Sequence, residues 1–219
     1  MDRKKVLISV PNTAWIHKIV VFTLLKLQHD DRVESTIILP THTPLENSQA
    51  KIQKDFLAGD YDFWLSIDSD NPPLKNPLDL VEFNLDVVGC PTPVWHDHGE
   101  GTPIYWNAVR DMGDEGFKPL GPDDMHGLQK VDAVGGGCWL IARRVLESLR
   151  DEQPFQRTWN PDGTVDVGND WSFCRRAAAK GFDIYAHFSY PCRHFVELDL
   201  VEMVQAMNRP HGSEEENDG

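Results

Sequence analysis

The sequence predicts an α/β protein in which a mostly parallel central sheet is flanked by helices. Within about the first seventy residues, short apolar runs typical of buried parallel strands alternate with segments whose apolar residues recur at helical spacing. The resulting order is strand, helix, strand, helix, strand. This alternation favours a sheet built with right-handed crossovers. In open sheets of this class, ligands bind beyond the carboxyl ends of the strands.

The first half of the chain contains the clearest elements. Pro11 and Asn12 end the first strand, Thr13 is predicted to be the N-cap of the first helix, and Gly59 ends the second helix. The predicted strands lie at residues 5–10, 33–39 and 63–67, and the predicted helices at residues 13–28 and 45–57.

The second half is less regular and richer in loops. Two long loops are predicted at residues 90–103 and 153–168, and Gly181 ends the last helix. Without a repeat or a linker, residues 1–208 are expected to form one domain, followed by an acidic, disordered tail at 209–219. The predicted elements are strands at 86–89, 104–109, 127–134, 138–142 and 182–187, and helices at 143–150 and 169–180.

Composition argues against several classes of function. The chain has 21 Lys and Arg against 35 Asp and Glu, a net charge of −14, which disfavours binding to polyanions such as nucleic acid. No apolar stretch reaches the roughly 18 residues that a membrane span needs, and the amino terminus does not resemble a signal peptide. The four cysteines are too widely spaced for a zinc-ribbon or disulfide framework. We therefore expect a cytoplasmic protein with free thiols.

The most concentrated acidic feature of the first half follows the third strand. Asp68 and Asp70 flank Ser69 at that strand end, where a bend lets both carboxylates converge on one hard cation. Mg²⁺ or Mn²⁺ at this point would bridge the phosphates of a nucleoside-diphosphate leaving group. The alternative is a simple turn, because Asp, Ser and Asn before two prolines are good turn formers.

Several segments together resemble the GT-A glycosyltransferases, especially family-2-like members and small virally encoded ones. The similarity extends over roughly residues 5–194 and implies a single GT-A (Rossmann-like) domain. It is carried by the first strand with Pro11-Asn12, the helix start at residues 44–47, residues 61–73 around Asp68-Ser69-Asp70, residues 86–89, residues 136–144 from Gly136 to Arg144, and residues 169–176 with Gly181.

The resemblance also implies roles for individual residues. Asp68 would contact the ribose, a metal-bound water or the metal itself, and Asp70 would ligate the metal. Gly136, Gly137 and Trp139 would form the floor under the donor sugar and the acceptor. The donor would further contact Pro11, Asn12, Thr13, Asn47 and Ser69.

Asp170 is the predicted general base. It begins a helix, whose positive end keeps a carboxylate ionised, and in an inverting transfer it would accept the proton of the attacking hydroxyl. Where the family often has Glu-Asp, this chain has Asn169-Asp170, and the alternative is a plain helix-start residue. His194 is expected as a further ligand of Mn²⁺ or Mg²⁺, with His187 as the competing candidate.

These inferences predict a metal-dependent, inverting transfer of a sugar from a nucleotide-diphosphate donor, preferably a UDP-sugar, to a hydroxyl acceptor. The alternatives are a nucleotidyltransferase acting on sugar phosphates and a non-catalytic carbohydrate-binding protein. Small enzymes of this family that occur in viruses and phages act on capsid glycans or on modified DNA bases, and the charge favours a glycan or small molecule here. His96, Asp97, His98 and Glu100 resemble only a fragment of a zinc-hydrolase site.

Overall fold

The structure, a computed structural model, describes residues 3–95 and 104–196 together with Val201 and Val204. Within this part of the chain the helices are α1 (Lys18–Gln28), α2 (Leu45–Ala58), α3 (Arg143–Ser148) and α4 (Asn169–Ala179). The strands are β1 (Lys4–Ser9), β2 (Val33–Ile38), β3 (Phe63–Ile67), β4 (Val87–Gly89), β5 (Pro93–Trp95), β6 (Ile104–Trp106), β7 (Ala108–Asp111), β8 (Phe117–Pro119), β9 (Leu128–Val131), β10 (Ala133–Val134), β11 (Cys138–Ala142), β12 (Thr158–Trp159), β13 (Val165–Val167) and β14 (Ile184–His187).

Seven of these strands form the central sheet, in the order β2-β1-β3-β11-β4-β14-β9. β1 pairs in parallel with β2 and β3, and β14 pairs in parallel with β4. β11 is antiparallel to both β3 and β4, and β9 is antiparallel to β14. Five of the seven strands therefore point in one direction, which confirms the predicted α/β class with a mostly parallel sheet.

The predicted bounds of β3 and β11 are confirmed residue for residue, because both strands are fully buried and, apart from Ser66, apolar. The first helix begins later than predicted. Its N-cap is His17, whose Nδ1 accepts the backbone N–H of Ile19, so Thr13 is not the cap and lies in the loop before the helix.

Two predicted strands are divided in the structure. Residues 104–109 form β6 and β7, and residues 127–134 form β9 and β10, because a polar residue interrupts each run. The predicted loop at 153–168 contains the small β12–β13 hairpin. A 3₁₀ helix at Pro77–Phe83, which begins with proline after the capping Asn76, was not predicted.

The core surrounds the central sheet and is continuous among its buried residues. Near β3 and β11 it is aromatic: Trp64 packs edge-on against Phe155, which stacks on Phe173 at a centroid distance of 4.8 Å. The Trp64 indole N–H donates to the hydroxyl of Ser9 at 2.7 Å, so this buried indole is paired.

No helix among the described residues is long and apolar enough to cross a membrane. The segment His96–Glu100 and the acidic residues 209–219 lie outside the described residues.

A cluster of hydrogen-bonded polar side chains links the loop between α1 and β2 to the 3₁₀ helix and its capping residue Asn76. Asp30, which follows α1, accepts hydrogen bonds from the Arg32 guanidinium at 2.9 and 2.6 Å and from the Asn76 amide at 2.7 Å. Arg32 also donates to Asp79 in the 3₁₀ helix at 2.8 Å. The Arg32 hydrogen bonds hold the pKa of Asp30 well below its usual range, and the Asn76 bond acts in the same direction.

Replacing Asp30 with Ala should lower the free energy of unfolding at pH 7 by about 1–3 kcal/mol, because Asn76 and Arg32 lose a nearly buried acceptor. Since folding depresses the carboxyl pKa, the stabilisation is present above about pH 4 and is lost as the pH falls further. Urea denaturation at pH 7 and pH 3 measures both effects. Asp60→Ala is the control, since that carboxylate is 94% exposed and should contribute nothing measurable. Equal losses in the two variants would contradict the prediction.

Candidate active site

A cleft lies at the carboxyl edge of the central sheet. β1 and β3 end there, and the loops that follow them carry residues 11–13 and 68–70. Because β11 runs antiparallel to β3, its preceding residues 136–137 reach the same edge. The first turns of α2 and α4 complete the walls. Residues far apart in sequence are thus brought together where α/β sheets bind ligands.

The cleft consists of two adjoining cavities of about 240 and 200 Å³, which share Leu45 and Asp68. The first is lined by Pro11, Asn12, Thr13, His42, Thr43, Leu45, Asp68, Ser69 and Asp70. The second is lined by Leu45, Gln49, Asp68, Asn71, Thr92, Val94, Asn107, Gly136, Gly137, Asn169, Asp170 and His194. Asp68 therefore stands at the junction between them.

The position of Asp68 is set by the sheet. Its backbone N–H donates to the Gly137 carbonyl at 2.8 Å, which continues the β3–β11 ladder by one bond beyond the strand. Burial, together with the nearby charges of Asp70 and Asp170, raises the pKa of the Asp68 carboxyl to about 8. The Asp68 side chain lines both cavities, so the surroundings that raise its pKa belong to the cleft.

Asp70 and His194 face each other across the cleft. Asp70 Oδ2 lies 3.9 Å from His194 Nε2. The other ring nitrogen, Nδ1, is 2.9 Å from the Pro93 carbonyl and donates to it, so Nε2 carries the free lone pair. A histidine held in this way is oriented as metal-ligating histidines are.

The donor set fits a divalent cation. Two ligand atoms that each lie roughly 2.1 Å from one ion cannot be more than about 4.2 Å apart, and the Asp70–His194 separation is within that limit. The three predicted ligands, Asp68, Asp70 and His194, do not converge on one point. Among the described residues, their ligand atoms do not all lie within 4.8 Å of one another. His187, the competing histidine, packs between Phe83 and Tyr190 and does not line the cleft.

The segment that carries His194 is fixed by backbone hydrogen bonds. Arg193 donates to the Pro72 carbonyl at 3.0 Å, and Phe195 donates to the Asp70 carbonyl at 3.1 Å. The Asn71 amide donates to the Arg193 carbonyl at 3.1 Å. These bonds hold the histidine against the loop that follows β3.

Asp170 lies at the start of α4, as predicted, and faces the glycine segment. Its Oδ2 accepts the Gly136 N–H at 3.0 Å, and its Oδ1 accepts the Trp171 N–H at 2.9 Å. Burial raises the pKa of Asp170, and the hydrogen bonds from the backbone partly oppose that rise. The carboxylate is therefore held in one orientation at the cavity wall, with a proton affinity above that of an exposed aspartate.

Gly136 and Gly137 line the second cavity, but Trp139 does not. The Trp139 side chain is fully buried and packs edge-on against Phe173, with 5.1 Å between ring centroids. This corrects the expectation that Trp139 forms part of the surface under the sugar: the indole supports Gly136 from below, because β11 turns this residue into the core.

The other residues expected to contact the donor, Asn12, Thr13 and Asn47, differ in their position relative to the cavities. Asn12 lines the first cavity, but its amide donates to the Val10 and Pro40 carbonyls and its Oδ1 accepts the Ala14 N–H, so it shapes the loop. Thr13 is exposed on that loop. Asn47 bonds to the Thr43 carbonyl at 3.2 Å and does not line either cavity.

Sequence reasoning missed several polar residues of the second cavity. Gln49 could have been found, because it lies one helical turn beyond Leu45 on the same face of α2. Single polar residues in irregular loops carry no such signal. Asn71, Thr92 and Asn107 belong to this group, and the Asn107 Oδ1 accepts the Thr92 N–H at 2.8 Å.

No protein-family model matches the sequence, and no curated protein matches it. Among solved structures, A197 from STIV is similar over 88% of this chain and 86% of that chain, with a TM-score of 0.58 and 20% identity. GalNAc-T7, solved with UDP, GalNAc and Mn²⁺, aligns over 90% of this chain and 44% of its own, with a TM-score of 0.49 and 11% identity. A UDP-glucose pyrophosphorylase with UDP-glucose aligns over 89% and 93%, with a TM-score of 0.48 and 10% identity. The likeness to A197 shows a shared fold and confirms the expected GT-A-like architecture.

Replacing Gly135 with Ala should lower the free energy of unfolding by about 1–3 kcal/mol, because a Cβ there would lie 2.7 Å from Cγ of the buried Asn107. Gly136→Ala is the matched control, since its Cβ would meet no atom closer than 3.4 Å. Thermal and urea denaturation of both variants give the measurement. Equal stability of the two would show that Asn107 can move freely, contrary to the structure.

Proposed function

We propose that this chain is a metal-dependent glycosyltransferase that moves a sugar from a nucleoside-diphosphate donor to a hydroxyl acceptor. The observation that carries the proposal is the junction of the two cavities at Asp68. One cavity combines the loop after β1 with the carboxylates after β3. The other places Asp170 beside the Gly136–Gly137 floor. A donor lying across the junction would have its nucleotide in the first cavity and its sugar in the second.

The nucleotide would contact the loop formed by Pro11, Asn12 and Thr13. Since the Asn12 side chain is engaged with its own loop, the Thr13 hydroxyl and the surface of Pro11 are the groups left to meet the base and ribose. Ser69 and Asp68 line the same cavity next to the junction. The resemblance to GT-A enzymes favours a UDP-sugar as the donor.

Asp70 and His194 would hold the divalent cation. When bound, the ion would neutralise the negative charge that builds up on the departing diphosphate. An imidazole joined to a carboxylate suits Mn²⁺ better than Mg²⁺, because Mg²⁺ prefers oxygen ligands alone. Asp68 would then meet the ribose or a water on the ion.

Asp170 would act as the general base of an inverting displacement. The acceptor oxygen forms a bond to the anomeric carbon while the bond from that carbon to the diphosphate oxygen breaks. The proton of the acceptor hydroxyl passes to the Asp170 carboxylate, and the nucleoside diphosphate leaves. The burial that raises the pKa of Asp170 makes it a stronger base than an exposed aspartate, and the two backbone hydrogen bonds keep its orientation.

The lining of the cleft also argues against the rival functions. No lysine or arginine lines either cavity within the described part of the chain. A nucleotidyltransferase would be expected to meet a triphosphate with a basic loop, and a DNA acceptor would require cationic groups near the site. The amide and hydroxyl groups of Asn71, Thr92 and Asn107 instead suit an uncharged acceptor that carries hydroxyls, such as a glycan or small molecule.

Asp70→Ala and His194→Ala should each abolish metal-linked nucleotide binding, because they remove the facing ligands of the proposed cation. Isothermal titration calorimetry with UDP, GDP and their sugars, with and without Mn²⁺, provides the measurement. In the wild-type protein, one nucleotide should bind only when the metal is present.

The control for these variants is His126→Ala, which alters an exposed histidine outside the cleft. It should bind like the wild type. If no nucleoside diphosphate binds in a metal-dependent way, the acidic segment after β3 is a turn and the non-catalytic alternative takes precedence. Release of pyrophosphate from a nucleoside triphosphate and a sugar phosphate would support the nucleotidyltransferase instead.

Asp170→Asn should lower the rate of sugar transfer by about 10²–10⁴-fold, because it removes the proton acceptor while keeping the shape of the side chain. Donor affinity should remain within about twofold of the wild type. The rate is measured as nucleoside diphosphate released from the donor identified by calorimetry. Asp166→Asn, an exposed acidic residue four positions earlier, should leave both quantities unchanged. Wild-type turnover in Asp170→Asn would rule out Asp170 as the base.

A further inference from the structure

Three of the four cysteines converge directly beneath the cleft. The Sγ atoms of Cys90, Cys138 and Cys192 all lie within 4.8 Å of one another. Their side chains are buried, with exposures of 0%, 0% and 3%. The residues are 48 or more positions apart in sequence, so their meeting is a product of the fold and gives no local spacing signal.

Each cysteine belongs to a segment that also lines the cleft. Cys90 follows β4 and lies two residues before Thr92, Cys138 follows Gly137, and Cys192 lies two residues before His194. The backbone joins these segments: Cys90 N–H donates to the Cys138 carbonyl at 2.8 Å, and Cys192 N–H donates to the Pro91 carbonyl at 2.9 Å. The three thiols are therefore held in place before any ligand binds.

Cys174 provides a contrast within the same core. It is as deeply buried, but its thiol lies on α4, where it donates to the Val134 carbonyl at 3.7 Å, and it is not part of the three-residue group. Burial alone thus does not distinguish the three cysteines. A single buried cysteine usually behaves as a small hydrophobic residue, but three convergent thiols form a ligand set for a soft metal ion.

Geometry and charge both favour zinc. Sulfur atoms that each lie about 2.3 Å from one zinc ion are roughly 3.7–4.6 Å apart, which agrees with the observed cluster. Three thiolates with Zn²⁺ carry a net charge of −1, whereas three thiolates with Cu⁺ carry −2. The lower charge costs less to bury beneath a cleft that already contains Asp68, Asp70 and Asp170.

We propose that Cys90, Cys138 and Cys192 bind one zinc ion as a structural site under the cleft. Three protons leave the thiols for solvent as three sulfur–zinc bonds form. His187 lies nearby, but its Nδ1 accepts the Ser189 N–H, so its Nε2 is protonated and is not a ligand.

Cobalt is the probe for this site, because thiolate ligands produce an intense sulfur-to-cobalt charge-transfer absorption that oxygen and nitrogen ligands do not. Metal-free full-length protein, kept reduced, should develop this absorption up to one equivalent of Co²⁺ per chain, and Zn²⁺ should abolish it by displacement. Cys138→Ser and Cys192→Ser should each lose most of the absorption. Cys174→Ser, the matched buried cysteine outside the cluster, should retain it.

A measurement on the wild-type protein alone guards against variants that fail to fold. X-ray absorption at the zinc edge of protein loaded with one equivalent should show three sulfur neighbours at about 2.3 Å. Absence of stoichiometric binding, zinc held only by oxygen and nitrogen, or a disulfide between two of the three cysteines that persists in the presence of reductant would each overturn the proposal. Asp70→Ala should keep the cobalt absorption, so this site is tested independently of the glycosyltransferase proposal.

Discussion

The antiparallel position of β11 between β3 and β4 is the constraint on which the cleft depends. With Cys138 opposite Ile67 in the ladder, the residues that precede β11 meet the residues that follow β3. The bond from the Asp68 N–H to the Gly137 carbonyl is the direct result. A parallel strand in this place would carry residues 136–137 to the opposite edge of the sheet, about a strand length away. The antiparallel direction of β11 thus places Gly136 and Gly137 beside Asp68. The Gly136 N–H in turn donates to Asp170, so these residues lie in one site.

The cleft carries an excess of negative charge that the protein itself does not balance. Asp68, Asp70 and Asp170 lie at its walls, and no lysine or arginine lines it within the described residues. The consequence is visible in the pKa of Asp68, which burial and the charges of Asp70 and Asp170 together raise to about 8. Placing carboxylates close together disfavours their ionisation, and a bound cation would offset that cost. The orientation of the His194 Nε2 towards Asp70 also supports the proposed cation site.

Much of this arrangement could be predicted from sequence, for identifiable reasons. β3 and β11 are short, fully buried segments that are apolar apart from Ser66, so their ends could be placed, and the residues beside those ends, Asp68 and Gly137, follow directly. Asp170 could be placed because it begins a strongly patterned helix. Other features depend on contacts between distant segments. The burial of Trp139 could not be read from a glycine-rich context, and Thr13 satisfies a capping pattern that His17 fulfils in the structure.

The cysteine cluster shows most clearly why sequence patterns can fail to predict a site. Metal-site motifs are recognisable when ligands come in pairs on one turn, whereas here three separate segments, after β4, at the start of β11 and after β14, contribute one thiol each. Those same segments carry Thr92, Gly137 and His194 into the cleft. Anything that ties the three sulfurs together therefore also restricts the relative movement of the cleft residues above them. Under the glycosyltransferase proposal, the cleft would hold donor, cation and acceptor in fixed geometry. Such support would favour the transfer, because preorganised groups need no rearrangement when the reaction begins.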